Sequence, residues 1–419
     1  MNEIIIYGIG LALSFYMAYN LGANDAANPT ACTVGAGVLN IKKAVMLFSI
    51  FVAIGALLHG SLVMETVGRG IAPEDAVLFE TEQNDMKPYL NEEVFPEKFR
   101  KDFEREGFEI SENITVQIEE ENKSWTLFDE IENREYKVNL IDGYFEVRGR
   151  RELGIVGAFT SILAVCIWVT LASWLGLPIS TTHSIVGAVI GYSIFVLGGF
   201  NSSVLLMVLI AMIISPIISL VLAMALLPRM EDIMGLITNR IGLRKSTRLL
   251  NGLVVFALCF SAYSFGANDI ANATGVFITA TEEVGMARPE MAGIVLALLG
   301  SFGVAVGGFS LGSRVIETAG RRITSLNPLR AFTAEFSNAL IVMLFTVLPT
   351  ALLGFEGGAP VSTTHVSIGT IIGVGLAGKG VGVNKKTVIK IVGSWGLTLP
   401  ISFFLSIGLY LLAGRFLPV

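Results

Sequence analysis

The sequence predicts an all-α polytopic membrane protein: two inverted repeats with re-entrant helical hairpins and broken helices, plus a small soluble α+β insert. Three observations predict it. Hydrophobic residues make up 53% of the 419, above ordinary soluble usage. The 76 residues from Leu153 to Pro228 contain no Asp, Glu, Lys or Arg. At ~20 residues per helical span, that stretch holds about three crossings or their equivalent in hairpins. Finally, two polar motifs each occur twice, in the same order, in an otherwise apolar chain, which is the mark of an internal repeat.

The elements follow in chain order. The first apolar run, Ile4 to Asn20, is preceded by Glu3 rather than a basic region, and no small-residue cleavage site follows. It reads as a retained helix, not a signal peptide. Val45 to Val63 is the next candidate span, and residues 1–72 form the first part of repeat 1.

Composition then shifts. Residues 73–152 hold 23 acids and 11 bases, whereas the remainder holds 12 acids and 18 bases. The overall charge of −6 therefore belongs to an insert, and the membrane part is mildly basic. Within the insert, Glu97 to Glu106 reads as an amphipathic helix ended by Gly107. Val116 to Ile118 is placed to pair with Ser124 to Phe128. Tyr136 to Ile141 and Tyr144 to Arg148 flank Asp142-Gly143, a favoured two-residue hairpin turn. Because the insert interrupts only the first repeat, shared chemistry is not expected in it.

Residues 153–228 complete repeat 1 and include a re-entrant hairpin. Residues 229–248 form a short basic linker carrying Arg229, Arg240, Arg244, Lys245 and Arg248, expected on the cytoplasmic side. Repeat 2 occupies 249–419, with candidate spans Leu249 to Phe265, Met291 to Leu311, Ala331 to Leu353 and Ile391 to Leu412. The three cysteines, Cys32, Cys166 and Cys259, lack metal-ligand spacing and read as free core thiols. The expected location is the cell membrane, as a multi-pass protein.

The first repeated motif is Gly22-Ala23-Asn24-Asp25, followed by Ala26-Ala27-Asn28; it returns as Gly266-Ala267-Asn268-Asp269, followed by Ile270-Ala271-Asn272. The second is Pro178-Ile179-Ser180-Thr181-Thr182-His183, returning as Pro360-Val361-Ser362-Thr363-Thr364-His365. Weaker echoes lie between them. Glu65-Thr66-Val67-Gly68-Arg69 parallels Glu317-Thr318-Ala319-Gly320-Arg321, and Ala158-Phe159-Thr160 parallels Ala331-Phe332-Thr333. The repeat thus spans most of both halves.

An ionisable residue within a membrane span costs roughly 2.5–3.5 kcal/mol on insertion scales and defaults to a functional reading. Glycine weakens the helix and Asn and Asp compete for backbone groups, so a break is expected at each GAND. Broken helices are tolerated only where they line protein or a water cavity. Exposed carbonyls, the Asp25 and Asp269 carboxylates, and the amides of Asn24, Asn28, Asn268 and Asn272 would form an all-oxygen set that suits hard cations. The competing interpretation is a polar cluster that merely glues helices, which two matched copies make harder to hold.

The Pro-x-Ser-Thr-Thr-His motif reads as a helix start, with N-capping hydroxyls after a proline. A helix N-terminus within the membrane is an anion site, to which Ser180, Thr181, Thr182, Ser362, Thr363 and Thr364 would add donors. His183 and His365 could donate to an oxyanion or simply satisfy a helix–helix contact. His59, with no counterpart, reads as packing. Glu335 is a one-sided carboxylate, aligned with Ile162 in the first repeat; it suits a coupling-ion or gating role, or a buried hydrogen-bonded acid. No Lys or Arg lies within any of the four motifs, so an anion here would depend on helix dipoles, hydroxyls and co-bound cations. Paired polar motifs in discontinuous helices point to a secondary transporter.

These paired motifs resemble those of the inorganic phosphate transporter (PiT) family, over nearly the whole membrane part and excluding the insert. The resemblance implies a non-enzymatic symporter that imports inorganic phosphate through alternating access. It implies sodium as the coupling ion, held at Asp25 and Asp269, with protons as the alternative, no further cofactor, no nucleic acid, and a homodimer in the lipid bilayer. By motif, Asn24, Asp25, Asn28, Asn268, Asp269, Asn272 and Glu335 would serve the cation. Ser180, Thr181, Thr182, His183, Ser362, Thr363, Thr364 and His365 would face phosphate. A proton-coupled sulfate or metal–phosphate permease of the same family is the alternative. A channel, or a phosphotransferase using a motif threonine with His183 or His365, are rivals from other classes. Two departures stand out. Animal members carry a second glutamate whose counterpart here is Val52, and the acidic insert lies away from their large central loop.

Overall fold

The computed structural model describes residues 3–80, 114–119, 124–129, 134–141, 144–150, 153–174, 179–285, 289–312, 316, 325–378 and 385–413. The chain divides into two compact units: one comprises Met1–Ile71, Leu153–Gly198 and Ser202–Val419; the other comprises Ala72–Glu152 with Gly199–Asn201.

The larger unit is helical throughout. Its elements are α1 (Glu3–Asn20), α2 (Ala27–Gly35), α3 (Ile41–Glu65), α4 (Gly154–Trp174), α5 (Thr181–Val196), α6 (Ser202–Ile241) and α7 (Leu243–Asp269). Then come α8 (Ala271–Thr274), α9 (Ile278–Glu283), α10 (Pro289–Gly307), α11 (Pro328–Leu353), α12 (Thr363–Ala377) and α13 (Lys385–Ala413). Among the described residues, 8 stretches are long and apolar enough to cross a membrane, and α5 and α12 are shorter apolar helices. The protein is a multi-pass integral membrane protein. Two of the long helices are capped as their sequences direct: Asn40 accepts from Lys43 N at the head of α3, and Asn327 accepts from Arg330 N ahead of Pro328 in α11.

The basic linker is not an irregular loop. α6 continues through it to Ile241 and α7 begins at Leu243, the reversal being made by Gly242 at φ 81°. The helix continues through Pro216, Pro228 and Gly235, and the 40 residues of α6 trace a path of about 60 Å, twice a bilayer core.

The helix packing exchanges partners between the halves. α3 packs on α7 as α1 packs on α10, and α5 packs on α13 as α12 packs on α6. Each helix of one half thus lies beside a helix of the other, and small residues permit the close approach. At the α3–α7 crossing, a Cβ on Gly266 would overlap the Val52 carbonyl. The glycine of the second GAND is there for this contact, and Val52 is fully buried against it.

The regular helix is interrupted at both GAND segments, but the carbonyls next to them stay bonded. The first forms a π turn, Leu21–Asp25, with Ala26 N bonded to Leu21 O at 3.2 Å. In the second, α7 stays regular to Asp269, and Ile270 O accepts from both Ala273 N and Thr274 N at 3.1 Å. Ala26 and Ile270 keep right-handed helical dihedrals. The Leu21 and Ile270 carbonyls are therefore occupied by the helix rather than free to act as ligands.

The smaller unit is a five-stranded antiparallel sheet: β1 (Glu74–Glu80), β2 (Ile114–Glu119), β3 (Ser124–Asp129), β4 (Arg134–Ile141) and β5 (Tyr144–Arg150), in the order β1-β5-β4-β3-β2. Ile118 pairs with Trp125, and Ile141 with Tyr144 across the expected hairpin. The helix expected at Glu97–Glu106 lies outside the described residues, as do Pro178 and the Glu317–Arg321 echo.

The Gly266 crossing yields a stability prediction. Gly266→Ala should destabilise the protein by about 1–3 kcal/mol through overpacking. Gly8→Ala, where nothing lies within 4 Å, should leave the thermal midpoint in detergent unchanged or slightly raised.

Candidate functional site

The two Ser-Thr-Thr-His segments begin α5 and α12. Ser180 Oγ accepts from His183 N and Ser362 Oγ from His365 N, each at 3.2 Å. The serines thus serve as N-caps, a task that uses one lone pair of each hydroxyl. Their neighbours reach the GAND segments. Thr181 Oγ1 donates to Asp25 Oδ2 at 3.3 Å, and Thr363 Oγ1 donates to Asp269 Oδ1 at 3.1 Å. Each aspartate is held by the first threonine of its own half.

The second threonines cross over. Asn28 Nδ2 donates to Thr364 Oγ1 at 2.9 Å, and Asn272 Nδ2 donates to Thr182 Oγ1 at 3.1 Å. Asn272 Nδ2 also donates to Asp269 Oδ1 at 3.1 Å. The asparagine three residues after each aspartate therefore bonds to the opposite half. Four motifs that lie far apart in sequence form one network with internal two-fold character.

Asn268 has a different task. Its Nδ2 donates to Thr346 Oγ1 at 2.9 Å and to Ala359 O at 3.1 Å, while its Oδ1 accepts from Val361 N at 3.1 Å. It clasps the extended backbone that leads into α12. Its counterpart Asn24 sits half-buried on the π turn.

Burial is severe. Asp269 is 1% exposed and Asp25 7%. Asp269 Oδ2 and Asn272 Oδ1 are buried with no hydrogen-bond partner. These two acceptors in one network lack any donor, which fits a cation and not an anion at that point.

The histidines meet. The rings of His183 and His365 are 4.5 Å apart, His183 Nδ1 bonds Ser180 Oγ at 2.8 Å, and Trp395 stacks on His365 at 3.4 Å. The two helix N-termini thus converge, but in this structure the rings contact one another. Glu335 on α11 is buried, with Cys32 and Ser261 as its polar neighbours. Its carboxylate shares no hydrogen bond with either motif. His59 bonds Tyr263 through Nδ1, the packing role expected of it.

Two residues of this region carried no expectation, and the place of a third, Cys32, adds to the free core thiol expected of it. Thr346 supports Asn268, Trp395 covers His365, and Cys32 sits beside Glu335. Only Cys32 left a usable trace: it lies one helical turn beyond Asn28, on the same face.

A profile of the Phosphate transporter family matches residues 21–89 and 137–406. The chain belongs to the phosphate transporter family. Among its relatives, a protein of Thermococcus kodakarensis that carries a phosphate permease name is 27% identical over 96% of both chains. The Arabidopsis thaliana protein named inorganic phosphate transporter 2-1, chloroplastic, is 26% identical over 95% of this chain and 70% of its own. A solved structure titled the sodium-dependent phosphate transporter superposes over 100% of both chains with a TM-score of 0.67 at 23% identity, a likeness of fold.

The caps give a direct test. Ser180→Ala and Ser362→Ala should each cost ~1 kcal/mol (range about 0.5–2), read as a lowered thermal midpoint, and Ser→Thr at either position should recover most of it.

Proposed function

We propose that this protein imports inorganic phosphate by cation symport, with sodium as the coupling ion, through alternating access of two inverted repeats. The observation that carries the reading is the buried network itself. Two aspartates face two helix N-termini, and Asp269 Oδ2 and Asn272 Oδ1 lack donors.

The physical logic is mutual dependence. Two buried carboxylates favour cations and repel an oxyanion; the N-termini of α5 and α12, with their hydroxyls, favour an oxyanion. No Lys or Arg occurs in the four motifs to neutralise phosphate. Cations at Asp25 and Asp269 would supply that charge, so each ligand improves the site for the other. Asn28 and Asn272 complete the oxygen set. Thr181, Thr182, Thr363 and Thr364 would exchange their aspartate and asparagine partners for phosphate oxygens. Glu335, isolated from the network, fits a gating or secondary ion role.

Each half has four long helices and one short one, α1, α3, α4, α6 with α5 and α7, α10, α11, α13 with α12; the inverted reading requires an odd number of crossings per half. The bonds Asn28–Thr364 and Asn272–Thr182 run between halves, so they are the ones that must rearrange as access alternates.

The test is phosphate uptake into proteoliposomes under an imposed sodium gradient and, separately, an imposed proton gradient. Sodium-driven accumulation should fall at least about 10-fold in Asp269→Asn, the scale of ~1.4 kcal/mol or more of lost ion binding. Uptake driven only by protons would move the coupling ion. No uptake under either gradient by folded protein would overturn phosphate symport and favour sulfate or a metal–phosphate complex.

A further inference from the structure

One repeated motif has no part in the ion and phosphate site: Glu65-Thr66-Val67-Gly68-Arg69. It follows α3 as a π turn, Thr66–Gly70, closed by Ile71 N on Thr66 O at 3.1 Å. Arg69 is held at its base by Glu65 at 3.0 Å, which leaves Thr66, at 2% exposure, turned inward. Thr66 Oγ1 donates to Gly358 O at 2.7 Å, and Gly358 N donates to Leu62 O at 2.8 Å. Both polar groups of Gly358, in the second half, are taken by the end of α3, in the first.

Gly358 begins the extended segment that delivers Ser362 and Thr363 to the site. Downstream, Ala359 N donates to Phe345 O at 3.0 Å, Asn268 clasps Ala359 O and Val361 N, and Thr182 Oγ1 donates to Val361 O at 3.1 Å. The backbone groups of 358, 359 and 361 are thus saturated by four different elements. A segment so bound has its register set, and Thr66 anchors its upstream end. The same turn also touches the second GAND region: a Cβ on Gly68 would overlap the Gly275 carbonyl. The motif therefore lies between the two second-half elements that meet at Asp269, contacting both.

We propose that Thr66 is a positioning residue for phosphate binding. By hydrogen-bonding the Gly358 carbonyl across the two halves, it holds the lead-in to α12 so that Ser362 and Thr363 stand where phosphate is bound. This rests on the phosphate reading above for its ligand but not for its structural content. The geometry also explains why the motif is polar at one inward position and small at another. Threonine supplies the single donor, and glycine lets the turn approach Gly275.

The experiment pairs two readouts on purified, folded protein. In proteoliposomes, Thr66→Val should raise the KM for phosphate roughly 5- to 10-fold, the weight of one buried hydrogen bond, with maximal rate within about twofold. Thr66→Ser, which keeps the donor, should restore the KM. By hydrogen exchange, the amides of 358–362 should exchange faster in Thr66→Val than in wild type or Thr66→Ser, with no phosphate present. If Thr66→Val does not purify as folded protein, Thr66→Ala is read in the same way. Unchanged exchange at 358–362 overturns the anchor, whatever the transport result. Faster exchange with an unchanged KM overturns its role in phosphate binding. Wild type that takes up no phosphate overturns the phosphate reading instead, and exchange alone then decides the anchor.

Discussion

Everything in this structure answers to the burial of two carboxylates. Asp25 and Asp269 sit in helices apolar enough to cross a membrane, at 7% and 1% exposure, where water cannot solvate them. An acid so placed needs donors, a counter-ion or a proton. The fold provides donors from an economical source, the first turns of two short helices. A helix N-terminus carries unsatisfied N–H groups and the positive end of a dipole. Hence α5 and α12 begin inside the protein rather than at a surface, and the side chains just past their caps bond to the GAND segments. The serine caps, Thr181 and Thr363 follow from this one requirement.

The exchange of packing partners then becomes intelligible. A short helix that starts in the protein interior cannot anchor itself, so each is held along its length by the last long helix of the other half, α5 on α13 and α12 on α6. The polar bonds repeat this crossing at the tips, Asn28 to Thr364 and Asn272 to Thr182. Neither half can complete its own site. Such interdependence is what the proposed symport of two ligands requires of its two halves.

Much of this was legible in the sequence, and for stated physical reasons. Charges are so costly in apolar spans that Asp25, Asp269 and Glu335 announce themselves, and duplication made the GAND and Ser-Thr-Thr-His motifs conspicuous. The antiparallel hairpin expected at Tyr136–Ile141 and Tyr144–Arg148 from an Asp-Gly turn is present, in strands Arg134–Ile141 and Tyr144–Arg150. The misreadings are equally instructive. Glycine in GAND was read only as a helix breaker, yet Gly266 also serves the approach of α3, since only the structure shows that the Val52 carbonyl occupies the space of a side chain. The basic stretch between the halves looked like a loop because charge marks the end of a span, but charge does not end a helix; Gly242 does. Asn268 looked like a cation ligand and also serves as a backbone clasp, a role that depends on an extended segment 91 to 93 residues away in the chain. Periodicity carries no information about that partner.

The near-symmetry of the network is broken in one respect, and the break is directional. On the side of the first GAND, Asn24, Asn28, Thr364 and His183 are half-buried. On the side of the second, Asn268, Asn272 and Thr182 are fully buried, with His365 at 3% exposure. The unequal parts are contacts exchanged between equivalent residues, so local composition does not account for the difference. A carrier built from two like halves must be unequal in any single state, because a site open equally on both sides would leak as a channel. The proposed mechanism accounts for the inequality as one accessible and one occluded side of the same site. One asymmetric residue of the sequence fits such a bias: Glu335 of the second half, buried beside Cys32 of the first, has no carboxylate counterpart at Ile162.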